Sequence, residues 1–472
     1  MQEILSRLRA DSRVSTLLRT VEKSLTLFDP PNGELKLLNL SLNRMRALGA
    51  KQALRCMPSM LAVNEISWCN LQCPQCPTHG TPEWHKFQNG KDRCLSSEIM
   101  DRLIGESFQT ATLIKTTTHG EPFLSPHLDS ILDGCLEHGT PAQVVTNATR
   151  LPIEQVAKAL VLSDRIVLSI DGVTRYAFEK IRKGAKFDKV LHNICVLVSA
   201  ANALPEKLRP DLFIRPTVMA SNLRELPAFV DFARWLGVPN VCGEFVIETA
   251  PHVADENVRL HKPLYNHVAA EATRRAEMHG VRLGFPAPFD GVQPDADFPF
   301  AGDRRCITNW PDSYVPEFDA DEVNLSVEAI MADAAKLVVA SMDYYLKHSW
   351  EHERTRIAAG QDDAEIKQTK QLVDSVIANL CDDGKPEIAF CGFVDWGVYV
   401  RPDAGVAVCC AGGPVVGSLA EESIEEIWNG KNYQAFREEF YSSSPPAVCQ
   451  SCRFLRKVPK RLVADSLRYS DD

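Results

Sequence analysis

Residues Ser67 to Gly80 read SWCNLQCPQCPTHG and place Cys69, Cys73 and Cys76 within eight positions. The spacing is Cys-x3-Cys-x2-Cys. Pro74 and Pro77 interrupt any regular element, and the run follows the strand-like LAVNEIS, so the trio belongs on a loop after a strand. Three thiolates suit zinc only with a remote fourth ligand. In a [4Fe–4S] cluster they hold three irons and leave the fourth open to a small molecule that offers an amine and a carboxylate. The spacing alone leaves both readings standing.

Outward from this loop the chain is periodic. Between residues 61 and 290 short apolar runs (LAVNEIS, TLIKTTTHG, AQVVTNAT, DRIVLSIDG, LFIRPTVMA, NVCGEFVIE, VRLGFPA) alternate with amphipathic stretches such as SSEIMDRLIGESF and LRELPAFVDFARWLG. Strand–helix repetition predicts a parallel α/β domain with its ligands at the strands' carboxyl ends. Asn147, Ser169, Asp171 and Arg215 fall at such ends. Residues 1–60 read as a helical N-terminal extension and 291–384 as a linker with an acidic helical insertion. Residues 385–472 hold a second cysteine group, Cys391, Cys409, Cys410, Cys449 and Cys452, and the tail.

With 472 residues and 15 cysteines but no apolar leader at the N-terminus, a secreted disulfide framework fits poorly and a cytoplasmic location is expected. The net charge of −10 argues against a nucleic-acid backbone as partner. No apolar run is long enough for a membrane span.

The cysteine loop resembles the signature of radical S-adenosylmethionine (SAM) enzymes, in which the open iron binds the methionine part of SAM. Gln75 stands where an aromatic residue often precedes the third family cysteine. THGEPFLSP resembles the family's Gly-Gly-Glu-Pro segment, with His119 in place of the first glycine, and implies SAM contacts from His119, Gly120, Glu121 and Pro122. VVTNAT resembles a family strand end, with Ala148 replacing glycine, and LSIDG resembles the next one. Asn147, Ser169, Asp171 and Arg215 are therefore cofactor-binding candidates. The resemblance implies a partial (β/α)6, TIM-like barrel.

The second group reads FCGFVDWGVYVRPDAGVAVCC, then PPAVCQSC after a helix. The first part predicts a hairpin that turns at RPDAG. Four cysteines in this order suit one cluster or one zinc equally. The block resembles the SPASM/twitch-type C-terminal domain of many radical SAM enzymes in a shortened form without the dense middle cysteines. That implies one auxiliary [4Fe–4S] cluster, two in all, with ligands Cys391, Cys410, Cys449 and Cys452. The family spacing from Gly405 favours Cys410, and Cys409 is the alternative.

The implied activity is reductive cleavage of SAM and hydrogen abstraction from a small polar, sugar-like substrate, leading to oxidation, dehydration or epimerisation. A flavodoxin- or ferredoxin-like protein would supply the electron. Cys94, Cys195, Cys242 and Cys306 are the candidate thiol donors. Peptide modification is the alternative reaction. A zinc scaffold or a non-catalytic cluster-carrying partner are the alternatives outside catalysis.

Overall fold

The seven apolar runs form seven parallel strands. They are β1 (Met60–Val63), β2 (Leu113–Thr116), β3 (Ala142–Thr146), β4 (Ser163–Leu168), β5 (Asp211–Ile214), β7 (Asn240–Cys242) and β9 (Arg282–Gly284), paired in that order. Two short strands, β6 (Thr217–Val218) and β8 (Glu244–Phe245), pair beyond the ends of β5 and β7. The structure is a computed structural model. It describes residues 56–82, 93–117, 119–247, 251–298, 325–340, 387–450 and 455–459, with Lys36, Asn39, Leu40, Asn43, Arg46, Trp310, Pro311, Tyr314 and Cys452. Most of the expected N-terminal extension, most of the acidic insertion and Cys306 lie outside these residues.

The alternation of side chains explains the layers. Leu61, Val63, Ile114, Val144 and Ile166 point to the helix side and belong to the main core. Helices Ser97–Ser107, Leu128–His138, Ile153–Leu162, Phe187–Ala203 and Leu226–Leu236 cover that side with Leu, Ile, Val and Phe at helical spacing. Ser96 caps the first of them by accepting from the Ile99 N–H, and Gly139 and Gly237 end two others in the left-handed conformation. Lys36 ties the N-terminal region to this layer. Its ammonium donates to the carbonyls of Phe108, Gln109 and His138 at 3.2, 3.0 and 2.9 Å, where two helices end.

The expected hairpin is present but does not stand apart from the barrel. Strand β12 (Gly405–Ala407) is antiparallel to both its neighbours, β11 (Gly397–Val400) and β13 (Val415–Ser418), and β11 lies parallel to β1. One ten-stranded sheet therefore runs from β13 to β9. The seam is close: a Cβ on Gly397 would sit 2.4 Å from the Met60 methyl and 3.3 Å from its carbonyl. Strands β10 (Glu387–Phe390) and β14 (Arg456–Pro459) form a separate antiparallel pair behind the hairpin.

Gly397→Val should force this seam apart. The expected cost is roughly 1–3 kcal/mol of stability, read as a lowered urea midpoint.

Candidate functional site

The cysteine loop is built by short-range hydrogen bonds. Cys76 N–H donates to the Cys73 carbonyl and Gly80 N–H to the Cys76 carbonyl, both at 2.9 Å. The His-Gly-Glu-Pro segment lies directly on the loop. Glu121 N–H donates to the Trp68 carbonyl at 3.1 Å, and a Cβ on Gly120 would fall 2.7 Å from that same oxygen. Only glycine allows this approach, which is why the two motifs meet although they are far apart in sequence.

Cys69, Cys73 and Cys76 open together onto a cavity of about 390 Å³ at the carboxyl ends of the strands. Of the candidates implied by the family, His119, Gly120, Glu121, Asn147, Ser169 and Arg215 line it, as do Arg182, Glu244 and Phe245. Burial pushes the Cys69 thiol up to about 11 and the Cys73 thiol up to about 12. Asn147 Nδ2 reaches Cys69 Sγ at 3.6 Å, and His79 N–H donates to Cys76 Sγ at 3.3 Å.

The set suits a cluster better than one ion. Three cysteines of one loop open on the cavity, and among the described residues its lining offers no fourth cysteine to complete a structural zinc site. A cubane places each thiolate on a different iron. The nearby guanidinium of Arg182 and the two N–H donors offset thiolate charge.

Two of the expected cofactor contacts, Pro122 and Asp171, stand outside the cavity lining. Pro122 begins a buried one-turn helix, Pro122–Leu124, and does not reach the cavity. Asp171 is fully buried and holds the site from behind. Its Oδ2 accepts from Gln75 Nε2 at 2.7 Å and lies 2.6 Å from Arg182 Nε, in an ion pair not aligned as a hydrogen bond. Its Oδ1 accepts from Thr217 N–H at 2.7 Å. Gln75, which replaces an aromatic residue, is thus a tether. Arg182 was missed by sequence reasoning, because one Arg in RKGAK carries no local signal.

Glu121 both lines the cavity and ties it to the end of β3. It accepts from Thr146 Oγ1 at 2.7 Å and Asn147 N–H at 2.8 Å, and burial raises its carboxyl to about 7. Ala148, next in chain, has φ 55°, the conformation that explains the family's glycine there. His119 N–H donates to Asn64 Oδ1 at 2.9 Å, and its ring touches Thr78 Oγ1 at 3.2 Å and the backbone of Cys410. Of the candidate thiol donors, Cys94, Cys195 and Cys242 do not line this cavity. Cys195 lies on the outer helix Phe187–Ala203.

The second group gathers behind the hairpin. Cys391 follows β10 and Cys452 shortly precedes β14, so the β10–β14 pair brings the two together. The thiols of Cys391, Cys409 and Cys452 each raise that of Cys449, to about 11 after burial. Cys410 is not among these influences. It packs instead beside Ala62, Tyr399 and Ala407 on the barrel side. The family spacing had favoured Cys410. Strand β12 ends at Ala407, and Val408 N–H donates to the Pro414 carbonyl at 3.1 Å, so both cysteines lie on the irregular turn beyond the strand.

Two family models match the chain. The radical SAM superfamily model covers residues 63–200, and the iron–sulfur cluster-binding domain SPASM covers residues 391–453. The chain thus carries a radical SAM domain, which binds a [4Fe–4S] cluster and SAM, and C-terminal to it a SPASM domain for additional iron–sulfur clusters. Among curated proteins it is similar to an Fe-coproporphyrin III synthase of Methanosarcina barkeri, 26% identical over 238 residues, or 49% of this chain. The match spans 55% of that relative's length. Similar solved structures include Streptococcus suis SuiB bound to S-adenosylmethionine, at 13% identity and TM-score 0.47, covering 84% of this chain and 71% of that one. Another is anSMEcpe with bound AdoMet, at 12% identity and TM-score 0.47, covering 84% and 86%.

Asp171→Asn should leave Arg182 buried without its counter-charge. The expected cost is about 3–5 kcal/mol, read by urea unfolding, with iron lost from the first cysteine group. Glu121 sets a pH dependence in the metal-free chain. Between its ordinary 4.5 and about 7 the unfolded carboxyl has lost its proton while the folded one keeps it. Stability therefore falls as pH rises through that window, by at most about 1.4 kcal/mol per pH unit. Glu121→Gln should flatten this slope in urea midpoints taken from pH 4.5 to 7.5.

Proposed function

We propose that this chain is a radical SAM enzyme acting on a small polar substrate at the mouth of the barrel, with one auxiliary [4Fe–4S] cluster held by the SPASM domain. The observation that carries the reading is the convergence of Cys69, Cys73 and Cys76 on a cavity ringed by the strand ends. When bound, the first cluster and SAM supply a 5'-deoxyadenosyl radical that takes a hydrogen atom from an unactivated carbon.

The chain's own residues supply placement. Cys69, Cys73 and Cys76 would hold the first cluster, and the rim from His119 to Glu121 lines the same cavity. Asn147, Ser169 and Arg182 offer polar contacts around the bound SAM. Phe245, on the β6–β8 extension, walls the cavity and helps to keep water out. The auxiliary ligands we assign are Cys391, Cys409, Cys449 and Cys452, with Cys409 preferred for its place beside Cys449. A cluster held there would supply an electron acceptor, which suits a net oxidation. A flavodoxin- or ferredoxin-like donor supplies the first electron.

A small molecule is favoured over a peptide because the curated relative is named for a small-molecule product. No helix among the described residues is long and apolar enough to cross a membrane.

Anaerobic reconstitution tests the reading. About eight irons per chain are expected, four to each cluster, with 5'-deoxyadenosine formed under strong reductant. Cys69→Ala should abolish the deoxyadenosine. Cys409→Ala should lower the iron to about four, while Cys410→Ala should keep about eight. Zinc at both sites, or iron without deoxyadenosine, would overturn the catalytic reading.

A further inference from the structure

One row of residues crosses the concave side of the sheet. Strand register aligns Tyr399, Ala62, Lys115, Gln143 and Arg165 as successive neighbours. Their chain neighbours Leu61, Ile114, Val144 and Ile166 belong to the core under the helices, so the row faces the barrel interior. Two of its members are cations. The Lys115 ammonium lies 5.9 Å from the Phe393 ring centre, and the Arg165 guanidinium stacks 4.5 Å over Phe213, two residues up the next strand. A third cation, Arg215, stands at the rim of the same barrel and lines the cavity.

Among the described residues none of the three forms an ion pair with a carboxylate. Arg165 Nε is buried with no hydrogen-bond partner. Asp211, directly across from Arg165 in register, is engaged by Arg282 at 3.4 Å. Burial and the charges of Arg165 and Arg215 push the Lys115 ammonium down from its usual range, with only the Cys410 thiol opposing them. The net charge is −10, so acids are in excess, yet among the described residues none is paired with these cations. Enclosed charge of one sign is costly unless a ligand completes it. Arg and Lys are the side chains that recognise carboxylate.

We propose that Lys115, Arg165 and Arg215 form the substrate subsite of the barrel, and that the substrate is a polycarboxylate anion. This rests on the radical SAM reading and narrows its substrate class. The carboxylates enter the barrel interior, so the carbon to be attacked lies at the strand ends, beside the cysteine loop. Gln143, between the two cations of the row, adds an amide to the same surface.

The test uses the reconstituted full chain with SAM. Binding of tricarballylate and of its uncharged trimethyl ester is measured by calorimetry and by the shift in Tm. The proposal expects tricarballylate to bind and to raise Tm, and the ester to do neither. Lys115→Gln and Arg165→Gln should each weaken tricarballylate at least tenfold. Lys115→Met should raise Tm of the substrate-free protein, because it removes an uncompensated interior charge. Equal binding of acid and ester, no binding of either, or variants that bind as the parent does would overturn it. So would a Lys115→Met protein less stable than the parent. Deoxyadenosine formation by the parent is scored separately. Its absence removes the radical reading, whereas its presence without charge-selective binding removes only the polycarboxylate.

Discussion

The buried carboxylate of Asp171 is the contact on which the candidate site depends. It comes from the end of β4, yet it holds Gln75 on the cysteine loop, Arg182 after the next helix and the backbone of Thr217 at the start of β6. Its own carbonyl accepts from Asn222 at 2.9 Å. An ion pair this deep adds little net stability against apolar packing. What it adds is position, since the cysteine loop has no strand or helix of its own and the barrel grips it through this carboxylate, the close approach of Gly120 and the backbone bonds of residues 66–72. The same pair places a fixed positive charge beside thiols that burial holds protonated. Binding of iron must displace those protons, and a guanidinium nearby eases that step.

The second constraint is the seam between β1 and β11. Because the hairpin continues the barrel sheet, the two cysteine groups share one frame. The first group hangs from the carboxyl end of β1, and the second sits beyond the hairpin that pairs with the same strand. His119 spans the seam: its N–H donates to Asn64 after β1, while its ring meets the Cys410 backbone and the Tyr399 ring on the hairpin side, with ring centres 6.0 Å apart. A glycine at that position, as in the family, could make neither ring contact. The substitution therefore fits a chain whose hairpin packs close to the His-Gly-Glu-Pro segment.

Much of this was legible in the sequence, and the reasons are local. Strands show as short apolar runs, and all seven were visible. Cysteine spacing survives translation into structure because a loop of ten residues cannot scatter its thiols. Gly405 and the RPDAG turn fixed the hairpin. What the sequence leaves open at Asp171, Cys409 and Cys410 has one cause: where a side chain points after the backbone leaves a regular element. Asp171 falls two residues past Ser169, a spacing that puts both on one face of an extended strand, but the strand ends at Leu168 and Asp171 is buried. Cys409 and Cys410 differ only in the facing imposed by an irregular turn. Arg182 and Lys115 are ordinary cations in sequence and become notable only through what the fold places around them, Asp171 beside the one and Arg165 and Arg215 near the other.

The interior cations show why the last part of a site is the hardest to read. A hydrophobic barrel interior would be more stable, and nothing in the periodicity asks for Lys115 or Arg165 where Ala62 already fills the same row. Replacing an apolar residue there with a cation opposes folding, and the opposition grows with each cation because they repel one another. The fold carries that cost through the extensive helix-side core, where the alternate residues of the same strands are almost fully buried. The division of labour follows from the period of two: one face of each strand stabilises the barrel, which leaves the other free to hold charge. Local propensity sees neither face, and so the residues that bear most directly on the substrate are the ones that strand prediction passes over.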